Sequence, residues 1–122
     1  MSAQLALVVL SCVALVQIAI AATEMFWWNA PRVHSRLHYT AAEARKVAPI
    51  VANAGLYNAF LAAGLFWALL LGVEQPGVAI FFLSCVMVAG VFGALTLKPT
   101  TLLIQTVPAL AGLAAVLTAR VP

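Results

Sequence analysis

Four apolar segments, each about as long as a bilayer is thick, dominate the sequence. A membrane-spanning helix needs about 20 consecutive apolar residues, and such segments occupy residues 3–26, 47–71, 77–97 and 101–119. The composition agrees, because 66% of the 122 residues are hydrophobic and only 7% are charged, whereas soluble domains carry about 25% charged residues. The sequence therefore predicts an all-α, single-domain integral membrane protein folded as an antiparallel four-helix bundle.

The charged residues indicate how this bundle is oriented. Five of the six basic residues lie in the loop over residues 27–46 and in the short loop over residues 98–100, namely Arg32, Arg36, Arg45, Lys46 and Lys98. Cytoplasmic loops carry an excess of Lys and Arg, so both loops are expected in the cytoplasm, with both termini outside a bacterial inner (plasma) membrane. Trp27 and Trp28 are expected at the inner membrane interface. Nucleic acid is not expected as a partner, since it requires a basic patch on a water-facing surface.

The first loop contains a signal for the start of a helix. Thr40 and Glu43 have the spacing of a capping box, which predicts a helix that begins at Ala41 and continues into the second span. Pro49 removes a backbone donor from this helix and is expected to kink it near the membrane surface.

Small residues recur at four-residue spacing in the predicted spans. Gly55, Ala59 and Ala63 form one such set, and Gly90 and Ala94 form another. Helices in lipid associate through close backbone approach and dispersion, so this spacing predicts tight packing between the spans.

The second span carries an unusual number of polar residues. Five of its residues are spaced 4, 3, 4 and 3 positions apart and so lie on one face of a helix: Asn53, Tyr57, Phe60, Gly64 and Trp67. Asn53, Tyr57 and Gly64 are expected to face other helices, because lipid exposure would leave the polar groups unpaired. Asn58 lies about 140° from Asn53 on an ideal helix and is expected to face a different neighbour.

Glu24 is the only acidic residue inside a predicted span, where a carboxylate costs a few kcal/mol and usually has a partner. It is expected within hydrogen-bond reach of at least one of four side chains: Asn53, Tyr57, Gln105 or Lys98. Gln17 lies two turns from Glu24 on the same face. The candidate ligand-binding set, with no catalytic role assigned, is Glu24, Asn53, Tyr57, Asn58, Gln105, Gln17 and Lys98.

Histidines and cysteines give weaker indications. His34 and His38 are four residues apart, a spacing that presents two imidazoles to a metal on a helix. Neither a third ligand nor an anionic neighbourhood is evident, so both are expected on a solvated loop face, with no metal and no cofactor. Cys12 and Cys85 fall inside apolar spans and are expected to act as small buried hydrophobes.

Several stretches together resemble a known family. They are EMFWW at residues 24–28, NAGLYNAFLAAGL at 53–65, FFLSCVMVAGVFGA at 81–94 and QTVPA at 105–109. The whole chain resembles the small membrane proteins catalogued as domain of unknown function 1304. The resemblance implies a four-span bacterial membrane protein without an established activity, and it again points to Glu24, Asn53, Tyr57, Asn58 and Gln105.

Three classes of function are compatible with these residues. The favoured hypothesis is a protein that binds or transports a small or lipid-soluble molecule through a polar site in the cytoplasmic half of the bundle. Because four helices enclose little volume, transport would require a homodimer. The alternatives are a non-catalytic accessory or assembly protein, and a membrane enzyme that uses Glu24 as acid or base on a lipid-soluble substrate. Membrane lipids are the expected partners in every case.

Overall fold

The computed structural model describes residues 1–119, and these residues are helical with no β-strand among them. The five α-helices are α1 (Ala3–Phe26), α2 (Pro31–His34), α3 (Ala41–Leu71), α4 (Gly77–Thr96) and α5 (Val107–Thr118). A 3₁₀ turn (Ser35–Leu37) follows α2, and a π-helical turn (Leu102–Thr106) leads directly into α5. The prediction of an all-α helical bundle is confirmed.

Three of these helices, α1, α3 and α4, are long and apolar enough to cross a membrane. The fourth apolar segment forms a shorter helical stretch, Leu102–Thr118. At about 1.5 Å per residue it is roughly 25 Å long, slightly less than the roughly 30 Å of the hydrocarbon core. Membrane crossing therefore stays a prediction for all four segments, and the length of the helix supports it least for the fourth.

The four longer helices form an antiparallel ring. Helix α1 contacts α3 and α5, while α4 contacts the same two helices from the opposite side. The amino group of Met1 donates to the Thr118 carbonyl oxygen at 3.1 Å, which places the start of α1 beside the end of α5. At the opposite end of the bundle, Lys98 Nζ donates to the Arg36 carbonyl oxygen at 3.3 Å. Successive long helices therefore alternate in direction.

Glycines lie at the contacts of α3 with α1 and α4, and at the contact of α4 with α5 and the turn before it. A Cβ atom at Gly55 of α3 would lie 2.7 Å from a side-chain carbon of α1, and one at Gly112 of α5 would lie 2.9 Å from a side-chain carbon of α4. Gly64 of α3 contacts the ring of an α4 phenylalanine, and Gly90 of α4 contacts the π-helical turn. The prediction of tight packing is confirmed at Gly55 and Gly90, as expected for helices that associate by backbone approach, whereas Ala63 of the same predicted set is exposed.

The apolar core occupies the half of the bundle nearest the termini. Its largest side chains are Leu10 and Val13 from α1, Leu65 from α3, and Leu83 and Val86 from α4. The opposite half, next to the first loop, contains most of the polar side chains within the helices.

The first loop folds against the start of α3. The capping box is present: Thr40 N donates to Glu43 Oε2 at 2.8 Å, and Glu43 N donates to Thr40 Oγ1 at 3.3 Å. Helix α3 begins at Ala41, as predicted, and continues through Pro49 to its end.

Two side chains of this loop are buried, and for His34 this contradicts the expected solvated position. Trp28 is only 5% exposed, and its indole Nε1 donates to the Ala44 carbonyl oxygen at 2.9 Å; the membrane-interface position of Trp27 and Trp28 stays a prediction. His34 is also 5% exposed and not solvated. Since a carbonyl oxygen only accepts, His34 Nδ1 donates to the Tyr39 carbonyl at 2.9 Å, and the Tyr39 ring packs edge-on against Trp28. Both side chains are buried because the loop folds back onto α3.

The π-helical turn before α5 has no counterpart among the predicted elements. Val107 N donates to the Leu102 carbonyl five residues back. Pro108 has no N–H and its ring crowds the carbonyl four residues before it, which opens the preceding turn. Thr101 and Thr106 on this stretch donate their hydroxyls to the α4 carbonyls of Gly90 and Met87 at 3.0 and 3.2 Å.

Candidate functional site

The carboxylate of Glu24 is paired with one amide from the neighbouring helix. Asn58 Nδ2 of α3 donates to Glu24 Oε2 of α1 at 2.9 Å, and both side chains are half-buried. Gly55 lies one turn before Asn58, and its missing side chain lets the α1 backbone approach: a Cβ there would be 2.9 Å from Glu24 Cβ and 3.0 Å from the Ala21 carbonyl oxygen. The close contact therefore positions the two polar side chains.

The four partners predicted for Glu24 do not bind it. Lys98 donates to a loop carbonyl instead, and no hydrogen bond within residues 1–119 joins Glu24 to Asn53, Tyr57 or Gln105. The reason is the rotation of α3. Its buried face contains Gly55 and the alanines that approach α1, and only Asn58 shares that face.

The predicted inward stripe of α3 faces outward. Asn53 is exposed, and the exposed fractions of Tyr57, Phe60 and Trp67 are 61%, 54% and 54%. Gly64 alone is buried, against α4. The prediction was wrong for Asn53 and Tyr57, because small side chains, which allow close approach, determine the packed face. The expectation that Asn58 faces a different way from Asn53 is confirmed.

Two further carboxamides of the bundle form no side-chain hydrogen bond within residues 1–119. Gln17 is fully buried on α1, and neither its Oε1 nor its Nε2 has a hydrogen-bond partner within residues 1–119. Gln105 is half-buried in the π-helical turn, which contacts α1. A buried amide without a partner costs about 1–3 kcal/mol. Gln17 precedes Glu24 by seven residues and lies on the same helical face, so unsatisfied amide groups and the carboxylate share the interior side of α1.

The Glu24 carboxyl group has no positively charged partner among the described residues. Within residues 1–119, no Lys, Arg or His nitrogen lies within 4.0 Å of the Glu24 carboxylate. The same residues contain no group of three or more His, Cys, Asp or Glu side chains that could hold a metal. The arrangement therefore offers a carboxyl group and amide groups, which suits a cation or a hydrogen-bond donor.

A large apolar groove lies outside this polar site, between α1 and α3. Its volume is about 680 Å³, within the range of roughly 300–1,000 Å³ that is usual for small-molecule sites. Alanines form much of its surface, with Leu15, Ile18 and Phe66 among the larger lining side chains. Neither Glu24 nor Asn58 lines it.

Comparison with known proteins gives one match. Residues 11–117 match the family described as protein of unknown function (DUF1304). The chain belongs to this family. No curated protein and no solved structure matches the chain. The description of the DUF1304 family names no activity.

Sequence reasoning found most of the polar residues of this DUF1304 protein but paired them wrongly. Asn58 and Gln17 were both candidates, yet the Glu24–Asn58 pair was not foreseen. The available signal was the set of small residues around Asn58, since Gly55 and Ala62 lie three and four residues away on the packed face. The expectation for the cysteines was also wrong in part, because Cys12 is exposed and Cys85 is half-buried.

Proposed function

We propose that this protein binds a small, lipid-soluble molecule with a positively charged group, and that the Glu24 carboxylate anchors that group. The observation that carries the proposal is the environment of Glu24: a half-buried carboxylate in a helix of membrane-spanning length, with one amide as its partner and no cation within residues 1–119. Ionisable groups inside a span are costly and usually functional. A ligand cation would supply the missing counter-charge.

The remaining polar groups suit this role. A carboxylate offers about four lone-pair positions, and the Asn58 amide occupies one of them. The hydrogen bond from Asn58 holds the carboxylate in place, while Gln17 and Gln105 supply amide groups for polar atoms of the ligand. Asn53, Tyr57 and Lys98 are left out of the proposed site, because they point away from Glu24 or bind elsewhere.

The proposal includes a location. We propose that the protein lies in the inner membrane of a bacterial cell, with the loop between α1 and α3 in the cytoplasm and both termini outside. The support is the position of the basic residues: Arg32, Arg36, Arg45, Lys46 and Lys98 all lie at one end of the bundle. Cytoplasmic ends of spans carry such an excess. The Glu24 site would then lie in the half of the membrane nearest the cytoplasm.

An enzymatic role for Glu24 has less support than binding. Acid–base chemistry generally uses a second positioned group beside the first, and within residues 1–119 no other ionisable side chain forms a hydrogen bond or ion pair with Glu24. An accessory role keeps one specific observation in its favour, the outward polar stripe of α3, which is suited to a protein partner.

Binding of a lipophilic cation tests the proposal directly. The probe is tetraphenylphosphonium, measured by equilibrium dialysis against the purified protein in detergent. Tetraphenylphosphonium has no N–H or O–H donor, so its attraction to the Glu24 carboxylate is Coulombic, about 2–3 kcal/mol for charges roughly 6 Å apart at an effective dielectric constant of about 20. Glu24→Gln should therefore weaken binding about ten- to hundredfold. The matched control is Glu74→Gln, because Glu74 is exposed in the loop between α3 and α4 and its loss should leave binding unchanged. Equal binding by wild type and Glu24→Gln would contradict the proposal, as would no binding by the wild type.

A further inference from the structure

One face of α3 has no helix of residues 1–119 against it, although it has the sequence pattern of a helix–helix contact. Ile50 is 71% exposed and Tyr57 is 61% exposed. Asn53, between them, and Phe60, one turn beyond Tyr57, are exposed as well. Helix α1 packs against a different face of α3, the one that contains Gly55. We call the four exposed residues, Ile50, Asn53, Tyr57 and Phe60, the outer seam.

In the membrane location proposed above, the polar groups of the outer seam would lie too deep for water to satisfy them. Asn53 and Tyr57 follow the start of the apolar segment at residue 47 by six and ten residues, or roughly 9 and 15 Å along the helix. The hydrocarbon core is roughly 30 Å thick, so the Tyr57 side chain starts near its middle. Neither side chain forms a hydrogen bond within residues 1–119. Lipid provides no partner, and polar groups at this depth require one.

The spacing of the outer seam identifies the shape of the missing partner. Spacings of 3, 4 and 3 residues are those of the contact line between two helices that cross at a small angle. The line continues into an existing contact, since the next position, Gly64, is buried against the Phe82 ring of α4. The outer seam is thus the uncovered part of a helix–helix interface.

We propose that the outer seam is the contact between two copies of this protein, related by a two-fold axis along the membrane normal. The chemistry favours an identical partner: a carboxamide and a phenol each donate and accept hydrogen bonds, so the seam is complementary to itself across a two-fold axis. No residue of the seam is charged, so two copies meet without like-charge repulsion. This inference is independent of the Glu24 site.

Cysteine cross-linking in lipid tests the contact. In a background with Cys12 and Cys85 replaced by Ala, Ile50→Cys is reconstituted at high lipid excess and oxidised. The matched control is Leu103→Cys, because Leu103 is 70% exposed and lies near the same end of the bundle but on the π-helical turn. Ile50→Cys should form a disulfide-linked homodimer in high yield, and Leu103→Cys should not. Equal cross-linking of the two variants, or none of Ile50→Cys, would overturn the proposal.

A second measurement separates loss of the contact from loss of the fold. Single-molecule photobleaching in bilayers gives the dimer fraction as protein density changes. Asn53→Leu combined with Tyr57→Phe should weaken dimerisation about tenfold, consistent with two to four lost interhelical hydrogen bonds, while Asn53→Gln, which keeps the amide, should retain most of it. The homodimer would be refuted if the wild type were monomeric and Ile50→Cys were cross-linked to a different membrane protein that co-purifies with it. The outer seam would then be assigned to that protein.

Discussion

The contact at Gly55 gives the most direct test of how the Glu24–Asn58 pair is positioned. In Gly55→Ala, the new Cβ would lie 2.7 Å from Met25 Cγ, 2.9 Å from Glu24 Cβ and 3.0 Å from the Ala21 carbonyl oxygen, against 3.4–4 Å for ordinary contacts. The Met25 side chain can move, but the Ala21 carbonyl belongs to the backbone of α1. The two helices therefore have to separate by several tenths of an ångström.

The size of the effect is a balance of two terms. Overpacking of a close contact costs about 1–3 kcal/mol, whereas replacing a helical Gly by Ala returns about 0.5–1 kcal/mol of backbone entropy. The free energy of unfolding of Gly55→Ala should therefore fall by about 0–2.5 kcal/mol, with about 1 kcal/mol at the centre of the range. For a chain of this size, roughly 4 °C of Tm corresponds to 1 kcal/mol, which predicts a decrease of about 5 °C and at most about 10 °C.

The assay is thermal unfolding in detergent, followed by tryptophan fluorescence. The matched control is Gly77→Ala at the start of α4, where a Cβ would meet nothing within 4 Å, and its Tm should be unchanged or slightly higher. A Tm of Gly55→Ala at or above that of Gly77→Ala would refute the view that close backbone approach fixes the α1–α3 contact.

Two other predictions address the site and the orientation. Asn58→Leu removes the amide that donates to Glu24 and should lower the free energy of unfolding by about 1–3 kcal/mol. Asn53→Leu, measured on monomeric protein, removes an exposed side chain and should change the free energy of unfolding by less than about 0.5 kcal/mol. Equal losses of Tm in the two variants would contradict the assigned faces of α3. A single-cysteine Arg36→Cys variant should react with an impermeant maleimide only after the inner membrane of the cells is opened, because this loop is proposed to be cytoplasmic, and ready labelling of intact cells would reverse the orientation.

The sequence by itself determined the helices and several of their ends. Apolar runs interrupted by short polar loops predicted α1, α3 and α4 with bounds that the structure reproduces closely. The capping box at Thr40 and Glu43 set the start of α3 correctly, because it consists of contacts between residues three positions apart. Such features depend only on neighbours along the chain, and so does the hydropathy that identifies a membrane-length segment.

Only the tertiary structure decided which side of each helix is packed. Helix α3 has two competing stripes, one with Asn53 and Tyr57 and one with Gly55 and Asn58, and both have helical spacing. Their periodicity is equal, so the face of α3 that packs against another helix is decided by how closely the second backbone can approach. A glycine allows a closer approach than a tyrosine does. The partner of Glu24 follows from this rotation. The burial of Trp28 likewise arises from a loop folding back across 16 residues of chain, a long-range contact that no local pattern encodes.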